Sequence, residues 1–370
     1  MSHTIAARPR PRLHGPRPGE HPGRAANPVI KVHDIAWLEF EKPDLERTEA
    51  FATAFGLTVA TRLPDTLVLR ASNPGPACLV IRRGHQSCLR AVAFTAEDDA
   101  DLITLARATG RWMHRLPEHL GGLAVDLTDP NGLTVRVAAA TRTLHALPTP
   151  TPHTPNAAHL APRINTTHRP PQQPAAIQRL GHLALHTTTH HSTLTWYLNT
   201  LGMIVSDFLY PPDHRQNGPT TSFLRCDRGM TPTDHHTLTL TQAPTNTYHH
   251  SAYHVSDLDT IATGGQHLTE HGYQHAWGIG RHLHGSHLFN YWRDPDGLLL
   301  EHIADQDMFD CSLEPTWTPS ATPTPTQWGP PPTKNYTTTN RKSLPRQALS
   351  AIITPRTTNR PHHATRPTTP

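Results

Sequence analysis

Three strand-like segments of the chain carry side chains that could hold a metal ion. His182, His250 and Glu301 each lie in a different segment of this kind. Two neutral imidazoles and one carboxylate form a donor set of non-haem Fe(II) sites that leaves coordination positions open for substrates. No local motif such as HExxH joins the three residues, so the fold must bring their strands together. The elements that position these strands therefore decide whether a site exists.

The elements around these residues occur twice along the chain. Residues 35–59 contain a strand-like and a helix-like run and end in Phe-Gly-Leu-Thr-Val, and they correspond to residues 180–205, which end in Leu-Gly-Met-Ile-Val. Residues 126–136 correspond to residues 291–301, and both segments contain an Asp-Pro-x-Gly turn. Such self-similarity predicts duplicated units. We expect an α+β fold of two domains, each made of paired βαβββ units that form a curved sheet around the site.

Four helices are predicted from the residues at their ends. Residues that favour a helix start, such as Asp, Ser or Pro, precede most of these runs, and glycines that can end a helix follow them. The predicted helices are Leu45–Phe55, 97–109, 193–200 and 258–271. One helix for each predicted unit completes the four βαβββ units.

Proline is unevenly distributed along the 370 residues. The chain has 38 prolines, and residues 1–27 and 312–370 are rich in Pro, Thr and Arg with few apolar residues. Such segments cannot bury enough surface to offset their ordering entropy, so we predict disordered tails there. A Pro/Thr/His-rich linker, residues 143–175, is predicted to separate an N-terminal domain, 28–142, from a catalytic domain, 176–311.

Charge and hydrophobicity argue against several classes of protein. The formal net charge is +4, but the two predicted tails hold 12 of the 33 Lys and Arg residues and only two of the 29 acidic ones. The domains are therefore acidic, which argues against specific nucleic-acid binding. No apolar run approaches the roughly 18 residues of a membrane span, and the four cysteines show no CxxC spacing. We expect a cytoplasmic protein with no membrane segment and no disulfide framework.

Residues 30–311 resemble the type I extradiol ring-cleavage dioxygenases of the vicinal oxygen chelate superfamily, which includes glyoxalases and bleomycin resistance proteins. The matching motifs are Gly181-His182, Phe223-Leu-Arg-Cys, His235-His236-Thr-Leu, His249-His250-Ser-Ala-Tyr, Arg281-His282 and Tyr291 ten residues before Glu301. The resemblance implies that His182, His250 and Glu301 bind the metal ion.

The same resemblance implies that His236, His282 and Tyr291 are the catalytic residues. Tyr291 or His282 would hydrogen-bond the bound catecholate and fix its orientation, and His236 would act as the acid and base on the O2 side. The chain has 30 histidines, and several stand beside the chosen ones. The neighbouring histidines that compete for these positions are His235, His249, His284 and His287.

The N-terminal domain lacks the metal-binding set. We aligned the two domains on the glycines that end the first helix of each and on the Asp-Pro-x-Gly turns. The residues aligned with His182, His250 and Glu301 are Ala36, Arg90 and Arg136. Arginine cannot ligate a cation, so we expect a metal-free domain that supports the catalytic one.

These expectations combine into an Fe(II)-dependent extradiol dioxygenase that cleaves a catechol-type aromatic with O2. Mn(II) is an alternative, because the same ligands accept it. Two other functions are compatible with the fold: a binding or resistance protein for a small molecule, and another reaction of the superfamily such as a glyoxalase-like isomerisation. The resemblance also implies a homo-oligomer.

Overall fold

Two large β-sheets, each formed by one half of the chain, make up most of the structure. The computed structural model describes residues 16, 20–150, 154–320 and 325–337. The N-terminal half contains β1 (Asp34–Lys42), α1 (Leu45–Phe55), β2 (Thr58–Leu63), β3 (Thr66–Arg70), β4 (Leu79–Arg83), β5 (Cys88–Thr95), α2 (Asp99–Thr109), β6 (Met113–Arg115), β7 (Leu123–Thr128) and β8 (Thr134–Ala139). The C-terminal half contains β9 (Arg179–Thr187), α3 (His190–Leu201), β10 (Ile204–Tyr210), a 3-10 turn (Arg215–Asn217), β11 (Thr221–Arg225), β12 (Thr233–Asp234), β13 (Leu238–Gln242), β14 (Thr247–His254), α4 (Leu258–Glu270), β15 (Gln274–His282), β16 (Leu288–Arg293), β17 (Leu299–Ala304), β18 (Met308–Phe309), β19 (Thr316–Pro319), β20 (Thr326–Trp328) and α5 (Lys334–Thr337).

Each sheet is built from two βαβββ units. The N-terminal order is β2-β3-β4-β1-β5-β8-β7-β6, and the first strands of its two units, β1 and β5, lie side by side and antiparallel. The C-terminal order is β19-β10-β11-β13-β9-β14-β17-β16-β15-β20, with β9 and β14 paired in the same way. Each first strand also pairs in parallel with the last strand of its own unit. The predicted α+β fold of two domains with paired βαβββ units is confirmed.

Local chemistry explains where most helices begin and end. The carboxylates of Asp44, Asp98 and Asp257 accept hydrogen bonds from the first turns of α1, α2 and α4, which stabilises these helix starts. Gly56 ends α1 with φ of 115°. A Cβ atom at Gly56 would also lie 1.8 Å from the carbonyl oxygen of Ala175. Both the backbone conformation and the space therefore require glycine there.

Helix α3 differs from its prediction. It begins at His190, three residues before the predicted start. The backbone N–H of His190 donates to the side-chain oxygen of Gln242 at 3.1 Å. A distant side chain therefore satisfies a group that the local sequence leaves open, and the predicted start is wrong for that reason.

The two halves pack through a shared core. Leu38 and Phe40 of β1 and Leu183 of β9 belong to one continuous cluster of buried apolar side chains. Lys42 at the end of β1 is buried and pairs with Asp294 of the other half. The two sheets therefore support each other, so contacts from the first half help to hold the second in place.

Residues beyond the predicted domain boundary at 311 belong to the second sheet. Strand β19 pairs with β10, and β20 pairs with β15. The ring of Trp317 packs on Phe208 with 4.5 Å between ring centroids. The prediction of a disordered tail is therefore wrong for 312–320 and 325–337, because sheet edges supply backbone partners that composition does not reveal.

The predicted N-terminal tail is also ordered in part. The Arg215 guanidinium donates to the Glu20 carboxylate at 2.7 Å, and Val205 donates its backbone N–H to Gly23 at 2.7 Å. The disorder prediction is thus wrong for 20–27.

The rest of the chain outside the sheets can be described briefly. The other predicted tail residues, 1–15, 17–19, 321–324 and 338–370, lie outside the described residues, apart from Pro16. Within 143–150 and 154–175, the described part of the predicted linker, there is no helix and no named strand. Among the described residues, no helix has the length and apolar character needed to cross a membrane.

Candidate metal centre

His182, His250 and Glu301 converge in the middle of the second sheet. They lie on the adjacent strands β9, β14 and β17, and Ala252 of β14 lies opposite both His182 and Glu301. The two histidine Nε2 atoms are 3.0 Å apart, and each lies 3.4 Å from Oε2 of Glu301. Ligands that each bind a shared ion at about 2.1 Å are separated by such distances. The structure therefore brings the three predicted ligands together.

The Glu301 carboxylate is buried without a matching donor. Its exposed fraction is 0%, and neither oxygen receives a hydrogen bond from the part of the chain that the structure describes. Burial alone raises the pKa of Glu301, but the surrounding imidazoles, His182 first, hold that pKa well below its usual value. Burial, reinforced by His249, lowers the pKa of His250 well below the usual value and keeps it neutral. A buried anion beside the imidazole nitrogens of two histidines fits a divalent cation.

Tyr291 and His282 form a hydrogen-bonded pair beside this cluster. Tyr291 lies on β16 directly opposite Glu301, and its hydroxyl lies 3.0 Å from Nε2 of His282 at the end of β15. The same His282 nitrogen lies 3.4 Å from Oε1 of Glu301. Burial, followed by the charge of Glu301, raises the pKa of Tyr291 well above its usual value. The phenol therefore stays protonated at neutral pH and can donate a hydrogen bond.

His236 covers another side of the cluster. It lies on the connection between β12 and β13, and its ring packs against that of His182 with 4.1 Å between centroids. Burial, followed by the neighbouring imidazoles, lowers its pKa well below the usual value. A neutral imidazole at this point can accept a proton from a molecule bound nearby.

Two of the competing histidines lie outside the metal cluster. Nδ1 of His249 lies 2.5 Å from Nδ1 of His250, so His249 contacts the side of the ring that faces away from Glu301. His235 is 1% exposed and bonds Asp207 at 2.8 Å through Nε2. These contacts favour His250 over His249 as the ligand, as predicted from the sequence.

Two further residues of the site were missed by the sequence interpretation. His287, considered only as a substitute for His282, lies with Nε2 3.4 Å from Oε1 of Glu301. Its spacing from Tyr291 was the available signal, because residues at even spacing on a strand share a face. Tyr336, in the predicted disordered tail, packs 5.0 Å from the Tyr291 ring. Composition offers no signal for Tyr336.

These side chains line a cavity of about 380 Å³. Five of the six predicted site residues line it: His182, His236, His250, His282 and Tyr291. The remaining wall consists of further histidines, His186, His249, His284 and His287, and of apolar and uncharged polar side chains from β9, β10, β11, β13, the β15–β16 connection and the segments around β19, β20 and α5. No Lys, Arg, Asp or Glu is among the described residues that line it. The volume lies at the lower end of the range for small-molecule sites, which is roughly 300–1,000 Å³.

The register of the first sheet identifies the counterparts of these residues in the N-terminal half. Ala93 of β5 lies opposite both Trp37 of β1 and Arg136 of β8, and Arg136 lies opposite Asp126 of β7. Ala252 holds the equivalent place in the second sheet. The counterparts of His182, His250, Glu301 and Tyr291 are therefore Trp37, Ala91, Arg136 and Asp126.

Two of the counterparts predicted from the sequence, Ala36 and Arg90, are wrong by one residue. Helix α1 has 11 residues and α3 has 12, so an alignment on the following glycines shifts the first strand. Bulges in the β1–β5 and β9–β14 pairings displace the second position, so that Ala91 rather than Arg90 corresponds to His250. Arg136 lies where predicted, donates to both Asp126 oxygens at 2.7 and 2.8 Å and contacts Glu39.

Comparison with known proteins identifies a matching family model and a similar protein over most of the chain. A family model of the Glyoxalase/Bleomycin resistance protein/Dioxygenase superfamily matches residues 179–302. The chain is 30% identical over 312 residues to Metapyrocatechase 2 of Cupriavidus necator, which covers 83% of this chain and 92% of that protein.

Solved structures share the fold at lower identity. The Mn(II)-bound glyoxalase from Novosphingobium aromaticivorans is 21% identical with a TM-score of 0.67, covering 82% of this chain and 94% of that one. Homoprotocatechuate 2,3-dioxygenase from Brevibacterium fuscum, in complex with 3,4-dihydroxyphenylacetate, is 18% identical with a TM-score of 0.67, covering 86% and 96%. The 2,3-dioxygenase LapB from Pseudomonas sp. KL28 is 17% identical with a TM-score of 0.65, covering 79% and 98%.

Proposed function

The chain belongs to the extradiol ring-cleavage dioxygenases of the glyoxalase/bleomycin resistance protein/dioxygenase superfamily, and from this membership we propose that it is an Fe(II)-dependent enzyme that cleaves a catechol-type aromatic with O2. The observation that carries the proposal is the buried cluster of His182, His250 and Glu301 beside the cavity. Neither carboxylate oxygen receives a hydrogen bond from a described residue, and the nearest imidazole nitrogens lie 3.4 Å away, which suits a cation bound between them.

The metal ligands fit the proposed chemistry. Fe(II) bound by His182, His250 and Glu301 would act as a Lewis acid for both catechol oxygens and offer an open position for O2. Mn(II) is the alternative occupant, because imidazole and carboxylate ligands do not discriminate strongly between the two metals.

Tyr291 and His282 orient the substrate. A catechol that binds through both oxygens loses a proton, and Nε2 of His282, which lies beside the Tyr291 hydroxyl, can receive it. Tyr291, whose pKa is raised by burial, then donates a hydrogen bond to the catecholate oxygen. The two side chains are already 3.0 Å apart, so binding requires little rearrangement of the pair.

His236 moves the second proton. Its position against His182 at the cavity wall lets it take the remaining hydroxyl proton of the catechol and return it to the ring-opened product. Overall, both catechol protons and both oxygen atoms of O2 end in the product, so no external reductant is required.

The substrate is an uncharged catechol. The described cavity wall lacks Lys and Arg, three of its histidines, His186, His249 and His287, have pKa values lowered by burial, and His284 already bonds Asp207 at 2.9 Å. A carboxylate substituent would therefore lose its hydration without gaining a charged partner.

Oxygen consumption with a panel of catechols tests the function. The protein is reconstituted with Fe(II) without air and given catechol, alkylcatechols, a dihydroxybiphenyl or 3,4-dihydroxybenzoate, with phenol as the control substrate. We expect one O2 consumed per catechol and a yellow ring-opened product, with kcat/KM at least about 10-fold lower for the carboxylated catechol. A parallel sample with Mn(II) identifies the active metal. Stoichiometric iron without O2 uptake for any catechol would contradict the proposal and favour a binding protein.

A further inference from the structure

A chain of hydrogen bonds leads away from the cavity behind His236. Nδ1 of His236 lies 2.9 Å from Nδ1 of His235, and Nε2 of His235 lies 2.8 Å from Oδ2 of Asp207 on β10. His235 and Asp207 do not line the cavity. Both are buried, with exposed fractions of 1% and 8%. Their interaction with His236 is therefore shielded from bulk water.

The hydrogen-bond partners determine which nitrogen of each ring carries a proton. Burial raises the pKa of Asp207, but hydrogen bonds from His235 and His284 hold it well below the usual value, so the carboxylate is ionised and can only accept. Nε2 of His235 must therefore carry a proton, and when that is the only proton on the ring, Nδ1 is an acceptor. Nδ1 of His236 consequently donates to it. This leaves Nε2 of His236 unprotonated, as a base requires.

A second contact is compatible with this assignment. The side-chain amide of Gln306 lies 3.4 Å from Nδ1 of His236. The two ends of an amide exchange places by a rotation of the group, which turns its oxygen toward the same N–H. The N–H of His236 is then shared between His235 and Gln306.

We propose that Asp207 and His235 are positioning residues that hold His236 in its basic tautomer and accept its charge after it takes a proton. This deepens the proposed function and rests on it. The catechol hydroxyl proton moves to Nε2 of His236, and the proton on Nδ1 moves to Nδ1 of His235. The resulting imidazolium of His235 is neutralised by Asp207. The reverse movement returns the proton to the ring-opened product, so the protons balance.

The surrounding backbone holds His235 in this orientation. Its N–H donates to the carbonyl oxygen of Asp307 at 2.8 Å, and its carbonyl oxygen accepts from the Ser206 hydroxyl at 2.6 Å. Asp207 is held from the other side by His284 at 2.9 Å and by the hydroxyl of Thr316. A relay with fixed geometry transfers a proton without reorganising its partners.

Steady-state kinetics of Asp207→Asn and His235→Leu in the iron-loaded enzyme test the relay. We expect each variant to lower kcat about 10- to 100-fold, which is the size of effect seen when outer partners of a functional group are removed. KM for catechol and iron content should stay within twofold. The double variant should be no slower than the worse single one, because residues that act as a unit are not additive.

His190→Leu is the matched control for a lost buried histidine. His190 is buried in the same domain and bonds the Ser222 hydroxyl at 3.1 Å, but it does not line the cavity. Its kcat should match that of the wild type. Unchanged kcat in both Asp207→Asn and His235→Leu would overturn the relay, as would an equal loss of kcat in His190→Leu.

Neutron diffraction of the holoenzyme reads the protons directly and does not depend on turnover. The expected map shows deuterium on Nε2 of His235 and on Nδ1 of His236, with none on Nε2 of His236. Deuterium on Nε2 of His236 with a bare Nδ1 would overturn the assignment. If the wild type cleaves no catechol, the proposed function fails, and this map alone decides whether Asp207 and His235 set the tautomer.

Discussion

The two halves of the molecule place opposite charges at the same point of the same sheet. In the second half, the carboxylate of Glu301 is buried and receives no hydrogen bond from any described residue. In the first half, the guanidinium of Arg136 stands at that register position and is held by Asp126 and Glu39. In the first half, the charges of Arg136, Glu39 and Asp126 offset one another. In the second half, no Lys or Arg among the described residues pairs with Glu301.

This difference separates structural support from function. A buried charge with internal partners stabilises its own domain without needing a ligand. A buried charge without a charged partner in the protein lowers the stability of the folded state until an ion binds to it. The first half therefore keeps the fold, and the second half keeps a buried carboxylate that receives no hydrogen bond from a described residue and has only imidazole nitrogens 3.4 Å away, as expected where function overrides local stability.

The largest expected effect comes from removing the buried charge of Glu301. Glu301→Gln keeps the size of the side chain but loses the anionic ligand. We expect loss of bound iron and a fall in kcat/KM of at least about 1000-fold, measured by metal analysis and O2 uptake. Wild-type iron content in this variant would contradict the role of Glu301.

Tyr291→Phe separates substrate orientation from metal binding. The hydroxyl bonded to His282 is lost, while iron should remain bound. We expect kcat to fall about 100-fold, as for other general acid and base groups. Asp126→Asn, at the same register position in the first half, is the matched control and should keep full kcat. If both variants lose activity equally, the hydroxyl has no specific role.

Arg136→Leu tests whether the first half depends on its internal cation. The buried Glu39 would lose its charged partner, so we expect the free energy of unfolding to fall by about 3 kcal/mol. Urea denaturation measures this change. Iron content per folded chain should not change. The double variant Arg136→Leu with Glu39→Gln should recover part of the loss, and no recovery would show that packing rather than charge is responsible.

A smaller difference between the halves lies at the start of their first helices. Helix α1 begins with the apolar Leu45, whereas α3 begins with the titratable His190, and His190→Leu removes this difference. Burial, followed by the charges of His191 and His21, lowers the pKa of His190 to about 4. The unfolded chain binds this proton below about pH 6.5 and the folded chain does not, so stability falls as pH drops from 6.5 to 4. The wild type should lose up to roughly 3 kcal/mol more than the variant over this range. Parallel pH dependences in urea denaturation would contradict the assignment.

The sequence predicted the fold because its repeat is visible in turns and helix-ending glycines. It also named the residues that the structure brings together, including His182, Glu301 and the pair of His282 and Tyr291. Alternating spacing indicates which side chains of one strand share a face, but it does not join residues of separate strands. The resemblance to a known family then selected among the many histidines.

Other features depend on contacts that a linear pattern does not contain. Tyr336 packs at the site from a segment whose composition predicted disorder, because the edge of β15 orders that segment. Trp37 rather than Ala36 is the counterpart of His182, because α3 is one residue longer than α1. The bond between His235 and Asp207 joins the connection between β12 and β13 to β10, 28 residues earlier in the chain, so only the folded structure reveals it.

Anomalous X-ray diffraction at the iron edge, on crystals of the Fe(II)-loaded protein, tests the central claim most directly. The account predicts one anomalous peak per chain, bonded to Nε2 of His182, Nε2 of His250 and a carboxylate oxygen of Glu301, with no peak near Arg136. A peak elsewhere, or no peak at these three residues in a protein with stoichiometric iron, would contradict it.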